Sequence, residues 1–287
     1  MFVRSFIVTA NTIKCYAKIN LFLYVTGKRK DGYHNLFTLF SRINLFDVLY
    51  VEPAEKFKIV CNNPSIPVDK KNLIYKVYDK LCETTGFDGC VRVYLYKNIP
   101  IEAGLGGGSS DAAGFLKLVN KIFNLRLSLD EMKNILRDVS ADAPFFLQEK
   151  ALIAKGIGDE FVADLDLCPL YLLLVKPSFG ISTKAVYNSR NLTLTSEPRI
   201  TNIHSLLNFE TLISYMHNDL ESVVLQEFSE LRLIKKQMLN FGAVRSLMSG
   251  SGSTIFGIFP SKYKLEKAYC YFKDLNKDYF VYKTTTL

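Results

Sequence analysis

The sequence predicts an α/β (α+β) fold, in which strands and helices are mixed along the whole chain. Residues 91–96, VRVYLY, alternate between two faces, which is the period of a half-buried strand. From Ala112 to Phe123, apolar side chains recur at helical spacing. With 287 residues, 48% of them hydrophobic, the chain can bury a large core, so we expect one large domain or two packed domains.

The first half of the chain is predicted to open with two strands joined by a turn. The segments that begin at Ile19 and Asn35 are rich in aromatic and β-branched residues, as strands are. Lys30, Asp31 and Gly32 lie between them and are typical of a turn. The pattern therefore predicts strand, turn and strand in that order.

A second helix is predicted after the one that begins near Ala112. Ser128 and Glu131 have the spacing of a capping box, in which each residue satisfies a backbone N–H of the other at a helix start. Pro144 cannot continue a helix, so we expect this one to end before it.

A domain boundary is predicted after this second helix. A Gly-Ile-Gly-Asp turn at residues 156–159 and an acidic loop up to Cys168 lead into a short apolar strand, Leu170 to Val175. We place the boundary in this loop, which divides the chain into residues 1–163 and 164–287.

The second half is predicted to contain a long helix followed by a loop rich in glycine and serine. The helix runs from about Asp219 to Asn240, and the loop from Ser249 to Ser253 leads into an apolar strand. A further helix and a last strand complete the expected order.

The net charge of +8 weakly favours a phosphate-bearing ligand. The densest basic cluster, Lys28 to Lys30, is only three residues long, and no helix carries a continuous basic stripe, so we expect no nucleic-acid partner. No apolar run reaches the roughly 18 residues that a membrane span needs, so we expect no membrane partner either.

The cysteines and the first residues indicate a cytoplasmic protein. The six cysteines include no CxxC pair, which argues against a zinc site or a disulfide framework. Residues 1–14 have no long apolar core and no small-residue cleavage site, and we interpret them as a short extension or a first strand.

The stretch PIEAGLGGGSSDAAGFLKLVNKIF, from Pro100 to Phe123, indicates an anion-binding site. Its glycines and serines lie at a helix start, where bare backbone N–H groups and the helix dipole favour a phosphate. A Walker loop would need a lysine after the glycines, and a dinucleotide-binding loop would need a glycine at Ser109. A protein-kinase glycine loop lies between strands, so that type is excluded as well.

The loop instead resembles that of the GHMP kinases, PxxxGLGxSSxxA. Further motifs occur in the order and spacing of one family among them, the 4-diphosphocytidyl-2-C-methyl-D-erythritol kinases. These motifs are AKINLFLYVTGKRKDGYHNLFTLF (17–40), GLGGGSSDAA (104–113), SADAPFF (140–146) and SGSGSTIFGIF (249–259). The chain departs from the family pattern at Tyr16, Ser140 and Ala143.

The resemblance implies a fold, a reaction and a cellular setting. The implied fold is the two-domain GHMP kinase fold, with an N-terminal domain like ribosomal protein S5 and a ferredoxin-like C-terminal domain. The implied reaction uses ATP and Mg²⁺ to phosphorylate the 2-hydroxyl of 4-diphosphocytidyl-2-C-methyl-D-erythritol, in the non-mevalonate (MEP) pathway to isoprenoid precursors. The implied enzyme is a cytoplasmic monomer or homodimer.

The resemblance also implies roles for individual residues. Asp142, which taken alone is a turn aspartate, resembles the catalytic base, and Lys18 resembles the cation that pairs with this aspartate and faces the γ-phosphate. The residues implied for ATP binding are Pro100, Ala103, Gly104, Leu105, Gly106, Gly107, Gly108, Ser109 and Ser110, with Ser110 also implied for Mg²⁺. The residues implied for substrate binding are Asn20, Tyr33, His34, Thr183, Tyr187, Gly250 and Ser251.

Two alternatives remain open from the sequence. Another GHMP kinase, for homoserine or mevalonate, would share the glycine loop but lack the Tyr33 and His34 motif. A nucleotide- or nucleic-acid-binding protein without turnover would tolerate loss of Asp142. We assign no catalytic role to Asp111, because acidic residues are common in a first helical turn.

Overall fold

The fold is described from a computed structural model, which describes residues 10–198, 200 and 202–287. The short extension or first strand expected at residues 1–14 therefore lies mostly outside the described residues. Its last three residues, 12–14, begin the first strand of the fold.

Strands and helices are mixed along the described chain, as predicted. The strands are β1 (Thr12–Lys28), β2 (His34–Pro53), β3 (Lys58–Cys61), β4 (Val91–Tyr96), β5 (Ala151–Lys155), β6 (Glu160–Leu165), β7 (Tyr171–Lys176), β8 (Arg245–Met248), β9 (Ile255–Phe259) and β10 (Phe280–Thr285). The α-helices are α1 (Leu73–Thr85), α2 (Gly107–Ile122), α3 (Leu129–Arg137), α4 (Thr183–Tyr187), α5 (Phe209–Tyr215), α6 (Glu221–Glu227), α7 (Ser229–Asn240) and α8 (Lys262–Leu275). Short 3₁₀ helices span Ala143–Leu147 and Ile203–Leu207.

The described chain forms two compact units, and neither is continuous in sequence. The first unit takes residues 10–16, Phe46–Ile99 and Gly107–Leu147. The second unit takes the described residues of Ala17–Leu45, Pro100–Gly106 and Gln148–Leu287.

The first unit packs helices on a small sheet. The end of β2 pairs antiparallel with β4, in the register Val48 to Tyr96, and β3 pairs parallel with β4. Helices α1, α2 and α3 pack against one another, and α2 buries most of its length. The core of this unit therefore lies between α2 and its neighbours.

The second unit contains two groups of paired strands. The first part of β2 pairs antiparallel with β5, and β5 with β6. The other sheet has the order β10-β7-β9-β8, with every pair antiparallel. Helices α7 and α8 cover this sheet and bury its apolar face with aliphatic and aromatic side chains.

Several predicted elements are confirmed. The strand at 91–96 is β4, and it buries Val91, Val93 and Leu95 as the alternation predicts. The helix after the glycines is α2, and the Ser128 capping box at the start of α3 forms in both directions. The loop after β8 leads into β9, and α8 and β10 follow in the expected order.

The prediction of a single long helix from about Asp219 to Asn240 is wrong, because the helix is interrupted at Phe228. Phe228 has φ −111° and ψ 86°, which ends α6, and α7 begins at the next residue. Its ring stacks on Phe179 at 5.1 Å and packs against the core of the second unit. The interruption of the helix thus lets this ring pack against the core.

The acidic loop expected before Cys168 is also wrong in part. Residues 160–165 form β6, whose side chains alternate between exposed and half-buried positions along β5. The charged residues occupy the exposed face. The acidic composition of this segment therefore suggested a loop, although its side chains alternate with the period of a strand.

No helix in the described residues is long and apolar enough to cross a membrane.

Candidate active site

The residues that the sequence singles out divide between the two units. Lys18, Asn20, the beginning of the glycine loop and the predicted substrate contacts belong to the second unit. The start of α2 and Asp142 belong to the first unit. The geometry of each group is described within its own unit.

Lys18 lies on β1 and is almost completely buried, at 4% exposure. Its ammonium group donates to Asn20 Oδ1 at 2.8 Å and lies 4.7 Å from the centre of the Phe40 ring. A buried cation needs such partners, because removing it from water without them costs several kcal/mol. The side chain is therefore held in one direction by its own strand and by β2.

Asn20 is held in turn by β2. Its amide nitrogen donates to Thr38 Oγ1 at 2.8 Å, and the Thr38 hydroxyl donates to the carbonyl of Phe22 at 2.7 Å. Because the amide nitrogen is engaged in this way, the amide oxygen of Asn20 is directed at Lys18. Thr38, which the sequence reasoning did not single out, thus sets the orientation of two predicted site residues.

The beginning of the glycine loop, Pro100–Gly106, is fixed by backbone contacts in the second unit. The N–H of Lys18 donates to the carbonyl of Leu105 at 2.9 Å, and the Ser249 hydroxyl donates to the carbonyl of Gly104 at 2.9 Å. Gly104 has φ +70°, and a β-carbon there would collide with the carbonyl oxygen of Ser249. Glycine at 104 is thus required by backbone packing, whatever the loop binds.

The Gly/Ser loop Ser249–Ser253 lies beside Asn20. A β-carbon on Gly250, which has φ +54°, would be 3.5 Å from Asn20 Oδ1. One residue further on, the Ser251 hydroxyl is 2.7 Å from that of Thr183, and Ser251 is 6% exposed. The second unit therefore brings Asn20, Gly250, Ser251 and Thr183 into one connected group.

His34 and Tyr187 form a ring pair, with centroids 5.4 Å apart and planes tilted by 32°. His34 is buried at 7% exposure, and this burial, together with Lys28, lowers its pKa below the usual 6.5. Tyr33 is 59% exposed, and its N–H donates to Asp31 Oδ1 in the preceding turn. The structure thus pairs His34 with Tyr187 and leaves Tyr33 on the surface.

The start of α2 provides a helix N-terminus in the first unit, because the helix begins at Gly107. A β-carbon on Gly107 would lie 3.0 Å from Ile99 Cγ2 and 3.2 Å from Lys97 Nζ, which is a tight fit. A β-carbon on Gly108 would meet only Leu73, at an ordinary 3.5 Å. Packing therefore explains the glycine at 107 but gives no reason for the glycine at 108.

Asp142 lies in a half-buried turn just before the 3₁₀ helix Ala143–Leu147, as predicted. The turn is closed by a bond from the N–H of Ala143 to the carbonyl of Ser140. The Ser140 hydroxyl is 2.9 Å from that of Ser109 on α2. Ser140, one of the departures from the family pattern, thus ties the turn of Asp142 to the helix start.

A buried ion cluster lies beneath the start of α2. Lys97 Nζ forms an ion pair with Asp47 and another, at 2.7 Å, with Asp111. Although burial opposes it, the two carboxylates raise the pKa of Lys97. Burial raises the pKa of Asp111 to about 8, with Lys97 acting against it and Asp47 adding to it. Lys97 is therefore a structural partner of Asp111, and the absence of a catalytic role for Asp111 stays a prediction.

The residues around α2 are compatible with a bound Mg²⁺. Ser110, at 2% exposure in the first turn of α2, offers a hydroxyl oxygen, which is a donor type that Mg²⁺ accepts. In the described part of the chain, no group of three or more His, Cys, Asp or Glu side chains could hold a metal ion. Mg²⁺ here would take most of its ligands from phosphate and water, as it commonly does.

Comparisons with known proteins identify the family of the chain. The family model described as "GHMP kinases N terminal domain" matches residues 72–150, and "GHMP kinases C terminal" matches residues 200–278. A 4-diphosphocytidyl-2-C-methyl-D-erythritol kinase of Clostridium botulinum is 38% identical over 276 residues, covering 94% of this chain and 99% of that protein. The enzyme of the same name from Thermoanaerobacter pseudethanolicus is 41% identical over 280 residues, covering 96% of each chain.

Solved structures give the same picture. A crystal structure of 4-(cytidine 5'-diphospho)-2C-methyl-D-erythritol kinase matches with a TM-score of 0.78 and 30% identity, over 96% of this chain and 99% of that one. A homoserine kinase from Cytophaga hutchinsonii matches with a TM-score of 0.70 but only 17% identity, over 100% of this chain and 97% of that one, and so shares the fold alone. The resemblance stated from the motifs is confirmed: the chain belongs to the GHMP kinases and, within them, to the family of 4-diphosphocytidyl-2-C-methyl-D-erythritol kinases.

Proposed function

We propose that the protein transfers the γ-phosphoryl group of ATP to the 2-hydroxyl of 4-diphosphocytidyl-2-C-methyl-D-erythritol, giving the 2-phosphate and ADP. The observation that carries this proposal is full-length similarity, at 38 to 41% identity, to kinases of that name. The reaction belongs to the non-mevalonate pathway of isoprenoid precursor synthesis.

In the proposed reaction, Asp142 accepts the proton of the 2-hydroxyl as that oxygen attacks the γ-phosphorus. The bond between the γ-phosphorus and the bridging oxygen of ADP breaks, and ADP leaves. Lys18 stabilises the negative charge on the transferred group. The burial of Lys18 and its contact with Asn20 support this role, because a charge fixed in advance requires no reorganisation during the reaction.

We assign the triphosphate to the glycine loop and the start of α2. Helix α2 begins at Gly107, and the first backbone N–H groups of any α-helix have no partner within the helix and lie at the positive end of its dipole, both of which favour phosphate. Ser109 and Ser110 add hydroxyl groups in the first turn. Bound Mg²⁺, held in part by Ser110, would supply charge neutralisation of the phosphates.

We assign the cytosine to the ring pair of His34 and Tyr187. An aromatic face binds a base by stacking, and imidazole nitrogens can donate or accept at the edge of the base. The lowered pKa of His34 supports a neutral ring near pH 7, with one nitrogen donor and one acceptor. Tyr33, exposed next to His34, can complete a stack on the bound base.

A coupled ADP-release assay tests the substrate. We expect ATP-dependent turnover with 4-diphosphocytidyl-2-C-methyl-D-erythritol and none above background with homoserine or mevalonate, which lack a base for His34 and Tyr187. Turnover of homoserine or mevalonate at a higher kcat/KM would instead identify the protein as another GHMP kinase. The absence of turnover with all three substrates would overturn the proposal.

A further inference from the structure

Asn218 is a buried asparagine whose side chain is fully occupied by backbone partners. At 2% exposure, its amide nitrogen donates to the carbonyls of Met248 and Gly250, both at 2.8 Å. Its amide oxygen accepts from the N–H of Leu220 at 3.0 Å. Both N–H donors of the side chain and its oxygen therefore have partners. The two donors bind Gly250, which is in the loop Ser249–Ser253, and Met248, which directly precedes that loop.

The same short segment holds Met248 from a second direction. The N–H of Met248 donates to Glu221 Oε1 at 2.7 Å, while the other oxygen of Glu221 forms an ion pair with Lys235. The residue that leads into the Gly/Ser loop is thus bonded through both its N–H and its carbonyl to side chains only three positions apart.

The segment that carries Asn218 is also attached to β1. Leu23 and Asn218 form a parallel bridge, in which the N–H of Leu23 donates to His217 and the N–H of Asp219 donates to Leu23. The N–H of Val25 donates to Asp219 Oδ2 at 2.6 Å. Since β1 bears Lys18 and Asn20, one segment is bonded both to the strand of these residues and to the Gly/Ser loop.

The loop completes the connection at Gly250. Its carbonyl accepts from Asn218, and its α-carbon lies so close to Asn20 that a β-carbon would be 3.5 Å from Asn20 Oδ1. Asn20 in turn holds the ammonium of Lys18. A shift of Gly250 would therefore displace the side chain of Asn20, which orients Lys18.

We propose that Asn218 is a positioning residue for phosphoryl transfer, which acts by fixing the carbonyls of Met248 and Gly250 and so the Gly/Ser loop beside Asn20. The inference rests on the proposed function, because it assumes that Lys18 and this loop act on the phosphate. A misplacement of about 1 Å in a reacting group can cost roughly 100-fold in rate, so a small change in the loop is enough to be measured.

The sharpest variant is Asn218→Asp. It keeps an oxygen for the N–H of Leu220 but replaces the two donors with an acceptor that faces two carbonyls. We expect kcat to fall about 10- to 100-fold, with a smaller change in the KM for ATP. Asn218→Ala, which removes the bonds without repulsion, should show the same split with a smaller loss.

Asn120→Asp is the matched control. Asn120 also joins backbone groups through its amide, since it accepts from the N–H of Leu127 and donates to the carbonyl of Leu127. The substitution Asn120→Asp is the same chemical change as Asn218→Asp, but Asn120 contacts Leu127 rather than the Gly/Ser loop. We expect a loss of melting temperature similar to that of Asn218→Asp, with kcat within about two-fold of the unmodified enzyme.

Hydrogen exchange of peptides covering residues 245–254 gives a readout that does not depend on turnover. We expect faster exchange there in Asn218→Asp and no change in Asn120→Asp. Unchanged exchange in the loop, or a kcat for Asn218→Asp no lower than that of the control, would overturn the inference. Turnover of the unmodified enzyme is measured first, so a failure of the proposed function is recognised separately.

Discussion

At the scale of single residues, Lys18 illustrates how a buried charge is held in place. Its partners in the second unit include an amide oxygen and an aromatic ring, neither of which carries a charge. These contacts offset part of the cost of removing the ammonium group from water. They also hold the group in one place on β1, which is what the proposed contact with a transferred phosphate requires.

Asp142 gives the first prediction. If it accepts the hydroxyl proton, Asp142→Asn should lower kcat by about 10²–10⁴-fold, the usual contribution of a general base. ATP binding should stay nearly intact, because the amide is close in size and the phosphate cradle is unchanged. Steady-state kinetics and calorimetry with ATP check both halves, and a kcat within a few-fold of the unmodified enzyme would remove Asp142 from this role.

His34 gives a prediction about pH. Burial and Lys28 lower its pKa in the folded protein, so the unfolded chain binds the proton more tightly. Stability from this group is fully present above the unfolded pKa near 6.5 and is lost as the pH falls below it towards the folded value. His34→Gln should therefore lose less melting temperature than the unmodified protein between pH 8 and pH 5.5.

The control for this prediction is His204→Gln, which changes an exposed histidine of the 3₁₀ helix Ile203–Leu207. Its melting temperature should follow the unmodified protein across the same pH range. Identical pH profiles for His34→Gln and the unmodified protein would show that His34 does not titrate differently in the folded state.

Site residues divide into those that sequence can predict and those that it cannot. Lys18, Asn20, His34 and Asp142 lie in motifs that identify a family, so similarity alone selected them. Asn218 lies in no such motif, and its partners are carbonyls 30 and 32 residues away. Only the fold brings these atoms together, although an asparagine three residues before the first residue of a helix hints at a local capping role.

At the scale of elements, the first turn of α2 contains glycines that have two different explanations, namely tight packing and phosphate binding. At Gly107 the neighbouring side chains of Ile99 and Lys97 leave little space, whereas at Gly108 a methyl group would fit. We therefore expect the glycine at 108 to serve phosphate binding, and this expectation can be tested without disturbing the fold.

Gly108→Ala is the corresponding prediction. The melting temperature should stay equal or rise slightly, because alanine favours a helix by about 0.5–1 kcal/mol over glycine. ATP affinity should fall, since the added methyl group lies where the backbone is proposed to approach phosphate. Calorimetry that shows unchanged ATP affinity in the folded variant would exclude Gly108 from the cradle.

Elements with a clear period were predictable, and those decided by distant contacts were not. Strand β4 and helix α2 follow their periods closely, and α3 begins at the predicted cap. Helix α1 was missed, although Asn72 caps its start and Gly86, with φ +69°, ends it. The break between α6 and α7 could not be read from the sequence, because it depends on the stacking of Phe228 on Phe179.

At the scale of the whole molecule, composition and similarity settle different questions. A hydrophobic fraction of 48% predicts a large core but does not say how the chain is divided. The boundary between residues 163 and 164 stays a prediction. The two compact units instead each combine three separate segments of the chain, a feature that leaves no mark on composition or periodicity.

This discontinuity has a consequence for how the protein is made. The last segment of the first unit ends at Leu147, but Ala17–Leu45 belongs to a unit that lacks most of its residues until the C-terminus is synthesised. At about 5–20 residues per second, these early residues wait on the order of 10 s on the ribosome with apolar side chains such as Ile19, Leu21 and Phe22 uncovered.

A chain stalled at Leu147 should accordingly bind a hydrophobic dye and a ribosome-associated chaperone more strongly than the released full-length protein. Equal binding by both would mean that the nascent chain covers residues 17–45 by other contacts. We therefore expect the folding yield of this enzyme to depend on chaperones, because β1 is synthesised long before most of the unit that buries the apolar side chains in its middle part.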